Sequence, residues 1–373
     1  MNRRKRILVV PGDRSLDEAI RAVPLCYAIT SNWPGTHLSV GYFRETQRVV
    51  CESCLEKCQL VRFSSLKLKK PRHCVRAIKN FPYVLRSMFG YDAIVLLHVK
   101  DSHWPLSFLA RLTTARVFDK NLPKACSQPT PELLHQEIAK QLFESEGDQE
   151  DVRRYLPRLR LSDDDKNYAE GFFIRNGLVG SRTIFMNPYR ASKVDGWGLR
   201  KYINLAKAIS GCGAKVLMHE KGGPDERLGT GGIRDKEEFS SLRREWESIG
   251  IVSVGNTSMR ELIALIDRCD ITAGEPSGPI WIAATLGKPT VTITPNTPYS
   301  LASFLPSVSY GWRLSDAKHT VLVHDDSQQV DEGAAASILL ERLRRWPNKN
   351  ACHCDVLRLR DETVQILGGQ KAY

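Results

Sequence analysis

The feature that most constrains this chain is the regular alternation of short apolar runs with helical stretches. "RILVVPGD", from Arg6, is an apolar run closed by a loop. "SLDEAIRAVPLCYAITSNW" follows as a helix, with Ser15 as its cap and Glu18 three residues on as a capping-box partner. Pro24 falls inside it and predicts a kink or a late start. "THLSVGYF" (Thr36–Phe43) and "YDAIVLLHV" (Tyr91–Val99) read as further strands, the latter continuously apolar as parallel strands buried on both faces are. After a polar stretch from Gln128 to Asp165 the pattern restarts. "TIFMNPY", "AKVLMHE", "IVSVG", "DITAGE" and "PTVTIT" read as strands. "GLRKYINLAKAISGCG" is an amphipathic helix with Tyr202, Leu205, Ala206 and Ile209 at helical spacing. "SMRELIALIDRC" is another, with Ser258 as cap and Glu261 three residues on. Strand–helix alternation of this kind predicts doubly wound parallel sheets, here two, joined near Ser162–Gly180. The expected domains are residues 1–165 and 166–350, with 351–373 as a terminal helix packing back on the first domain.

A chain of 373 residues suits two such domains. No apolar run approaches the roughly 18–20 residues of a membrane-spanning helix. The apolar run after the basic start "MNRRKR" is too short for a signal-peptide core, so an intracellular protein is expected. The formal net charge is +12. "VRFSSLKLKKPRHCVRAIKN" (Val61–Asn80) is rich in Lys and Arg and has no acidic residue. It suits a phosphate-rich partner and equally reads as a solvated basic face. It carries no nucleic-acid-binding motif, and no specific nucleic acid is expected.

Ten cysteines in such a chain read as thiols. "CESCLEKC" places Cys51, Cys54 and Cys58 close together, with Cys74 further on. Four thiolates could close a structural zinc or iron site, whereas buried free thiols on a helix explain the same residues. No cofactor is otherwise required.

In an open parallel sheet, ligands bind beyond the C-terminal strand ends, where loops turn into helices. "AGEPSGPIWIAATLGKPTVTI" (Ala273–Ile293) fits such a place. Glu275–Pro279 form the loop, the amides of Ser277, Gly278 and Ile280 face a pyrophosphate, Gly278 permits close approach, and Pro279 suits the first helical turn. A plain turn into a packed helix is the alternative. Neither G-x-G-x-x-G after the first strand nor G-x4-GK[ST] is present, which argues against dinucleotide oxidoreductases and P-loop enzymes.

"SGPIWIAATLGKPTVTITPNTP" resembles the loop–helix–strand of the ADP-heptose glycosyltransferases of family 9. "RILVVPGDRSLDEAIRAVPL", "YDAIVLLHVKDSHWPLSFLARL", "NPYRASKVDGWGLRKYINLAKAI" and "GNTSMRELIALIDRCDITAGE" resemble further family segments in the same order, roughly from Arg6 to Pro298. This chain is a divergent case. The family's acidic residue before Ser-Gly falls at Pro276, with Glu275 one place early, and its His falls at Trp281.

The resemblance implies a GT-B-like α/β fold: two doubly wound, Rossmann-like domains facing a central cleft, the first binding an acceptor and the second a nucleotide sugar. It implies an inverting, metal-independent transfer from a donor such as ADP-heptose. Glu18, or the adjacent Asp17, takes the acceptor's proton. For Glu18 the capping-box role stands equally open. Arg190 and Lys193 are the cations for the leaving diphosphate, and Asn187, Ser192, Glu226, Thr257, Glu275 and Trp281 also line the donor pocket. Core packing accounts for Trp281 as well, and Trp197 reads as a packing anchor. The basic stretch suggests an anionic glycolipid acceptor, such as a lipopolysaccharide core, with peripheral contact at the inner face of the cytoplasmic membrane. The rival readings are transfer of another sugar onto a protein or small molecule, and a non-catalytic protein binding sugar nucleotides or nucleic acid.

Overall fold

The structure, a computed structural model, describes residues 5–11, 16–56, 58–63, 80–97, 104–118, 138, 141–142, 157–188, 197–220, 236–255, 257–295, 319–324 and 331–345. The chain divides into two compact units, with the change between Arg160 and Leu161. The expected C-terminal helix at 351–373 lies outside the described residues.

The first unit holds β1 (Arg6–Val10), α1 (Leu16–Asn32), β2 (His37–Tyr42), α2 (Glu45–Cys54), β3 (Gln59–Arg62), β4 (Ala93–Leu96), α3 (Trp104–Arg111) and β5 (Arg116–Phe118). Its sheet runs β3-β2-β1-β4-β5, with every pairing parallel. The order reverses between β1 and β4, so the C-terminal end of β1 lies at the switch point where ligands of such sheets bind. α1 is the next element in the chain. It runs without a break through Pro24, so neither a late start nor an interruption occurs. Leu8, Val10, Ile94 and Leu96 pack with Val84, Met88, Leu106 and Leu109 on one face of this sheet.

The second unit holds α4 (Asp163–Arg175), β6 (Thr183–Asn187), α5 (Leu199–Gly211), β7 (Lys215–His219), α6 (Lys236–Ser248), β8 (Val252–Val254), α7 (Met259–Arg268), β9 (Ile271–Gly274), α8 (Gly278–Thr285), β10 (Thr290–Pro295), β11 (His319–His324) and α9 (Glu332–Arg345). The order β11-β10-β9-β6-β7-β8 is again parallel and reverses between β6 and β9. One face carries Ile184, Met186, Val216, Met218, Ile271, Ala273, Val291 and Ile293 against α5, α6 and α9. Tyr202, Leu205, Ala206 and Ile209, the helical stripe of α5, are all buried there. Burying an apolar side chain of this size contributes about 1.5–3 kcal/mol, which is why the stripe sets the helix's rotation.

Local signals agree with this packing. The Ser258 hydroxyl accepts from the Glu261 amide and Glu261 returns to the Ser258 amide, so the expected capping box at α7 is formed. α4 begins with a second box, between Ser162 and Asp165. At the far end of α7, the buried Lys288 donates its Nζ to the carbonyl of Cys269 at 2.8 Å, with Asp267 3.7 Å away. The lysine of Gly-Lys-Pro thus closes a helix C-terminus, where a cation is favoured. Among the described residues, no helix is long and apolar enough to cross a membrane.

Candidate functional site

The site grows from the second unit's switch point. Asn187, the last residue of β6, is opposite Gly274, the last residue of β9. Gly274 has φ +151°, and a Cβ there would stand 2.3 Å from the Asn187 carbonyl oxygen. Only glycine lets the two strand ends come this close. The loop 275–277 leaves β9 at that point and turns into α8.

Ser277 is the N-cap residue of α8, yet its hydroxyl makes no cap bond. Its Oγ donates instead to the Glu275 carbonyl at 2.8 Å and accepts from Asn187 Nδ2 at 2.7 Å. The first-turn amides of a helix have no partner within the helix, and Pro279 contributes none. The amides of Gly278 and Ile280 therefore form a short stretch of donors at the positive end of α8, where a diphosphate is favoured.

Glu275 is fully buried, and its Oε1 accepts from the Trp197 amide at 3.2 Å. Trp197 in turn packs edge-on against Tyr202, with centroids 4.9 Å apart. The Tyr202 phenol is held well above its usual range, first by burial and then by the nearby Glu275 carboxylate. Glu275 is thus directed into the protein and ties the 275–277 loop to the segment entering α5.

The structure therefore brings together Asn187, Glu275 and Ser277, with Gly278, Pro279 and Ile280 following on α8. Pro279, Ile280 and Trp281 are buried, and the Trp281 carbonyl accepts the Thr285 hydroxyl one turn on. Thr257 lies just before the Ser258 cap of α7, and among the described residues no hydrogen bond joins it to this group. Arg190, Ser192, Lys193 and Glu226 lie outside the described residues. In the first unit, Glu18 is in the opening turn of α1, at the β1/β4 switch point, and its side chain is buried. Asp17 shares that turn and its side chain lies outside the described set, and Ser15, the expected cap of α1, lies outside the described residues altogether.

Cys51 and Cys54 lie on the buried side of α2, and burial pushes the Cys51 thiol up to about 12, the Cys54 thiol higher still and the Cys58 thiol to about 11. Among the described residues, no group of three or more His, Cys, Asp or Glu side chains is placed to hold a metal ion, and Cys74 lies outside them.

Two residues of this region carry no sequence signal of their own. His219 ends the apolar strand "KVLMH", where nothing separates it from a strand-terminal polar residue. Its Nδ1 lies 2.7 Å from Asn187 Oδ1. Tyr202 is legible only as a core position of α5.

Two doubly wound, parallel α/β units match glycosyltransferase structures of the GT-B-like fold class. Residues 137–307 match the model of glycosyltransferase family 9 (heptosyltransferase), so the family resemblance read from the sequence is borne out over that segment, which is less than half of the chain. Among solved structures, a family 9 glycosyl transferase from Veillonella parvula superposes with a TM-score of 0.67 at 18% identity, covering 92% of this chain and 99% of its own. The E. coli ADP-heptose lps heptosyltransferase II gives 0.61 at 16% identity over 91% of this chain and 99% of its own. E. coli heptosyltransferase WaaC with ADP gives 0.62 at 12% identity over 90% and 99%. At these identities the likeness establishes the fold. No curated protein sequence matches the chain significantly.

Proposed function

We propose that this protein is a glycosyltransferase that moves a heptose-like sugar from a nucleoside diphosphate donor, ADP-heptose first among them, to an acceptor hydroxyl. The observation that carries the reading is the uncapped start of α8 at the second unit's switch point, with the Ser277 hydroxyl drawn aside so that backbone amides are left for an anion. The solved E. coli relatives, one an ADP-heptose heptosyltransferase and one holding ADP, support an ADP-linked donor.

On this reading the diphosphate rests on the Gly278 and Ile280 amides. Arg190 and Lys193, in the segment after β6, offset the charge that gathers on the leaving group, and no metal is required. An acceptor hydroxyl ionises far above neutral pH, so it must give up its proton as it attacks the anomeric carbon. The Glu18 carboxylate takes that proton, and Asp17 is the second choice. A single displacement of this kind inverts the anomeric centre. Glu226 binds donor hydroxyls. The acceptor is an anionic glycolipid met at the inner face of the cytoplasmic membrane, and the enzyme works from the cytoplasm. Transfer of another sugar is the second reading, favoured by Trp281, whose bulk replaces the family's His on α8.

The test is a thermal-shift panel of ADP, UDP and GDP sugars beside a short oligonucleotide, followed by Glu18→Gln. Stabilisation by an ADP sugar, with turnover lost in E18Q and donor binding kept, is the expected result. Stabilisation by the oligonucleotide alone rejects the transferase, and unchanged turnover in E18Q rejects Glu18 as the base.

A further inference from the structure

The hydrogen bonds around Asn187 fix more than the loop. A serine hydroxyl has one proton, and a backbone carbonyl can only accept. The Ser277 proton is spent on the Glu275 carbonyl, 2.8 Å away. Ser277 Oγ must then accept from its other neighbour, so the atom of Asn187 that faces it at 2.7 Å is the NH2 group. That leaves Asn187 Oδ1 facing His219 Nδ1 at 2.7 Å, and two acceptors cannot sit at that distance. Nδ1 of His219 therefore carries a proton. The reverse orientation of the carboxamide would set its oxygen against a hydroxyl whose proton is already committed. The amide orientation and the histidine tautomer thus follow from the chemistry of the chain of bonds.

We propose that His219 is a positioning residue for the 275–277 loop: its Nδ1–H locks the Asn187 carboxamide, which holds the Ser277 hydroxyl away from the start of α8 and so keeps the α8 amides available to an anionic ligand. The binding part of this inference rests on the donor-site reading above. The relay runs across three adjacent strand ends, β7, β6 and β9. Asn187 is 1% exposed, so its carboxamide has no water to turn to. The His219 ring is held from the side by Phe185, with centroids 5.6 Å apart and the planes tilted 37°. Ser277 is already at the N-cap position with extended backbone, φ −163° and ψ 172°. An unrestrained serine there turns its Oγ to the amide at N2 or N3. N2 is Pro279, which has no N–H, so the amide it would take is that of Ile280. The relay prevents that local cap, and the amide stays open.

A merely structural role and this one part company in a measurable way. If His219 only stabilised the fold, removing it would lower stability and binding together. In the relay, removing the Nδ1–H frees Ser277 to cap α8, so the loss of binding runs through the Ser277 hydroxyl and disappears where that hydroxyl is absent.

The experiment uses the full chain with two readouts. In wild-type protein at about pH 8, ¹⁵N-histidine NMR, with the His219 signal assigned by its loss in His219→Asn, should show Nδ1 protonated. A bare Nδ1 on His219 overturns the relay without reference to any ligand. Calorimetric titration with ADP should be about tenfold weaker in His219→Leu, the effect of one lost polar contact. His219→Asn, which returns an N–H close to the place of Nδ1, should restore binding to within about twofold. In a Ser277→Ala background, His219→Leu should have no further effect, because the hydroxyl it controls is gone. Wild-type affinity in H219L, or an equal loss in H219L and H219N, refutes the proposal. Should the wild type bind none of ADP, UDP and GDP, the donor-site reading fails, and the tautomer of His219 still decides the relay.

Discussion

Gly274→Ala is the substitution whose effect the structure specifies most fully. The new Cβ would lie 2.3 Å from the oxygen, 2.9 Å from the carbon and 3.1 Å from the nitrogen of Asn187, all backbone atoms. No side chain can swing aside, so β9 and β6 must part by about 1 Å at their ends to reach ordinary contact. The strands are pinned behind that point by the pairs Ile184–Ile271 and Phe185–Thr272, so the strain stays at the switch point. Holding alanine at φ +151° costs about 1–3 kcal/mol. Loosening the Glu275 amide from the Asn187 carbonyl, now at 3.3 Å, costs about 1 kcal/mol more. The lower conformational entropy of the unfolded alanine chain offsets this by about 0.4–1 kcal/mol. The net loss is about 1–3.5 kcal/mol, or roughly 2–14 °C in the melting of a unit this size. Differential scanning calorimetry reads it, and ADP titration should show the loop's affinity lost as well. A G274A protein that melts within about 1 °C of wild type and still binds ADP would refute the argument that glycine is required there.

Two further outcomes follow from buried groups. Glu275→Leu removes the acceptor of the Trp197 amide inside the core and should cost about 1–3 kcal/mol in urea unfolding, whereas Glu275→Gln keeps an acceptor and should cost less; equal losses would show that the bond to Trp197 does not matter. The raised thiol of Cys51, at about 12, leaves on the order of one molecule in ten thousand as the reactive thiolate at about pH 8, and that fraction rises only as pH approaches 12. Peptide mapping after brief alkylation should therefore find the exposed Cys212 modified and Cys26, Cys51, Cys54 and Cys269 protected until the protein is unfolded; early labelling of Cys51 would contradict its burial.

Where the sequence was readable, a single physical signal dominated each element. Continuous apolar runs marked β1, β4 and β6 because strands buried on both faces need no polar alternation. Ser258 and Glu261 marked the start of α7 because a capping box satisfies two amides that the helix cannot. β3 was hidden because Gln59 and Arg62 are exposed at a sheet edge and dilute its apolar content. β11 hid among polar and β-branched residues whose place is set by pairing with β10. At the candidate site, the loop before α8 was legible from Gly, Pro and Ser spacing. The direction of Glu275 into the core was not, because a carboxylate next to a loop reads as solvent-facing until the Trp197 amide is seen beside it. His219 was unreadable for the same reason: its meaning comes from a residue 32 positions away in the chain.

Whether the opening of α8 grips a diphosphate is decided by a crystal of the full chain soaked with ADP. Phosphate oxygens should lie within hydrogen-bond distance of the Gly278 and Ile280 amides, with the Ser277 hydroxyl still turned to Glu275 and Asn187. Phosphates bound elsewhere on the chain, or a Ser277 hydroxyl capping Ile280 beside an empty loop, would contradict that grip.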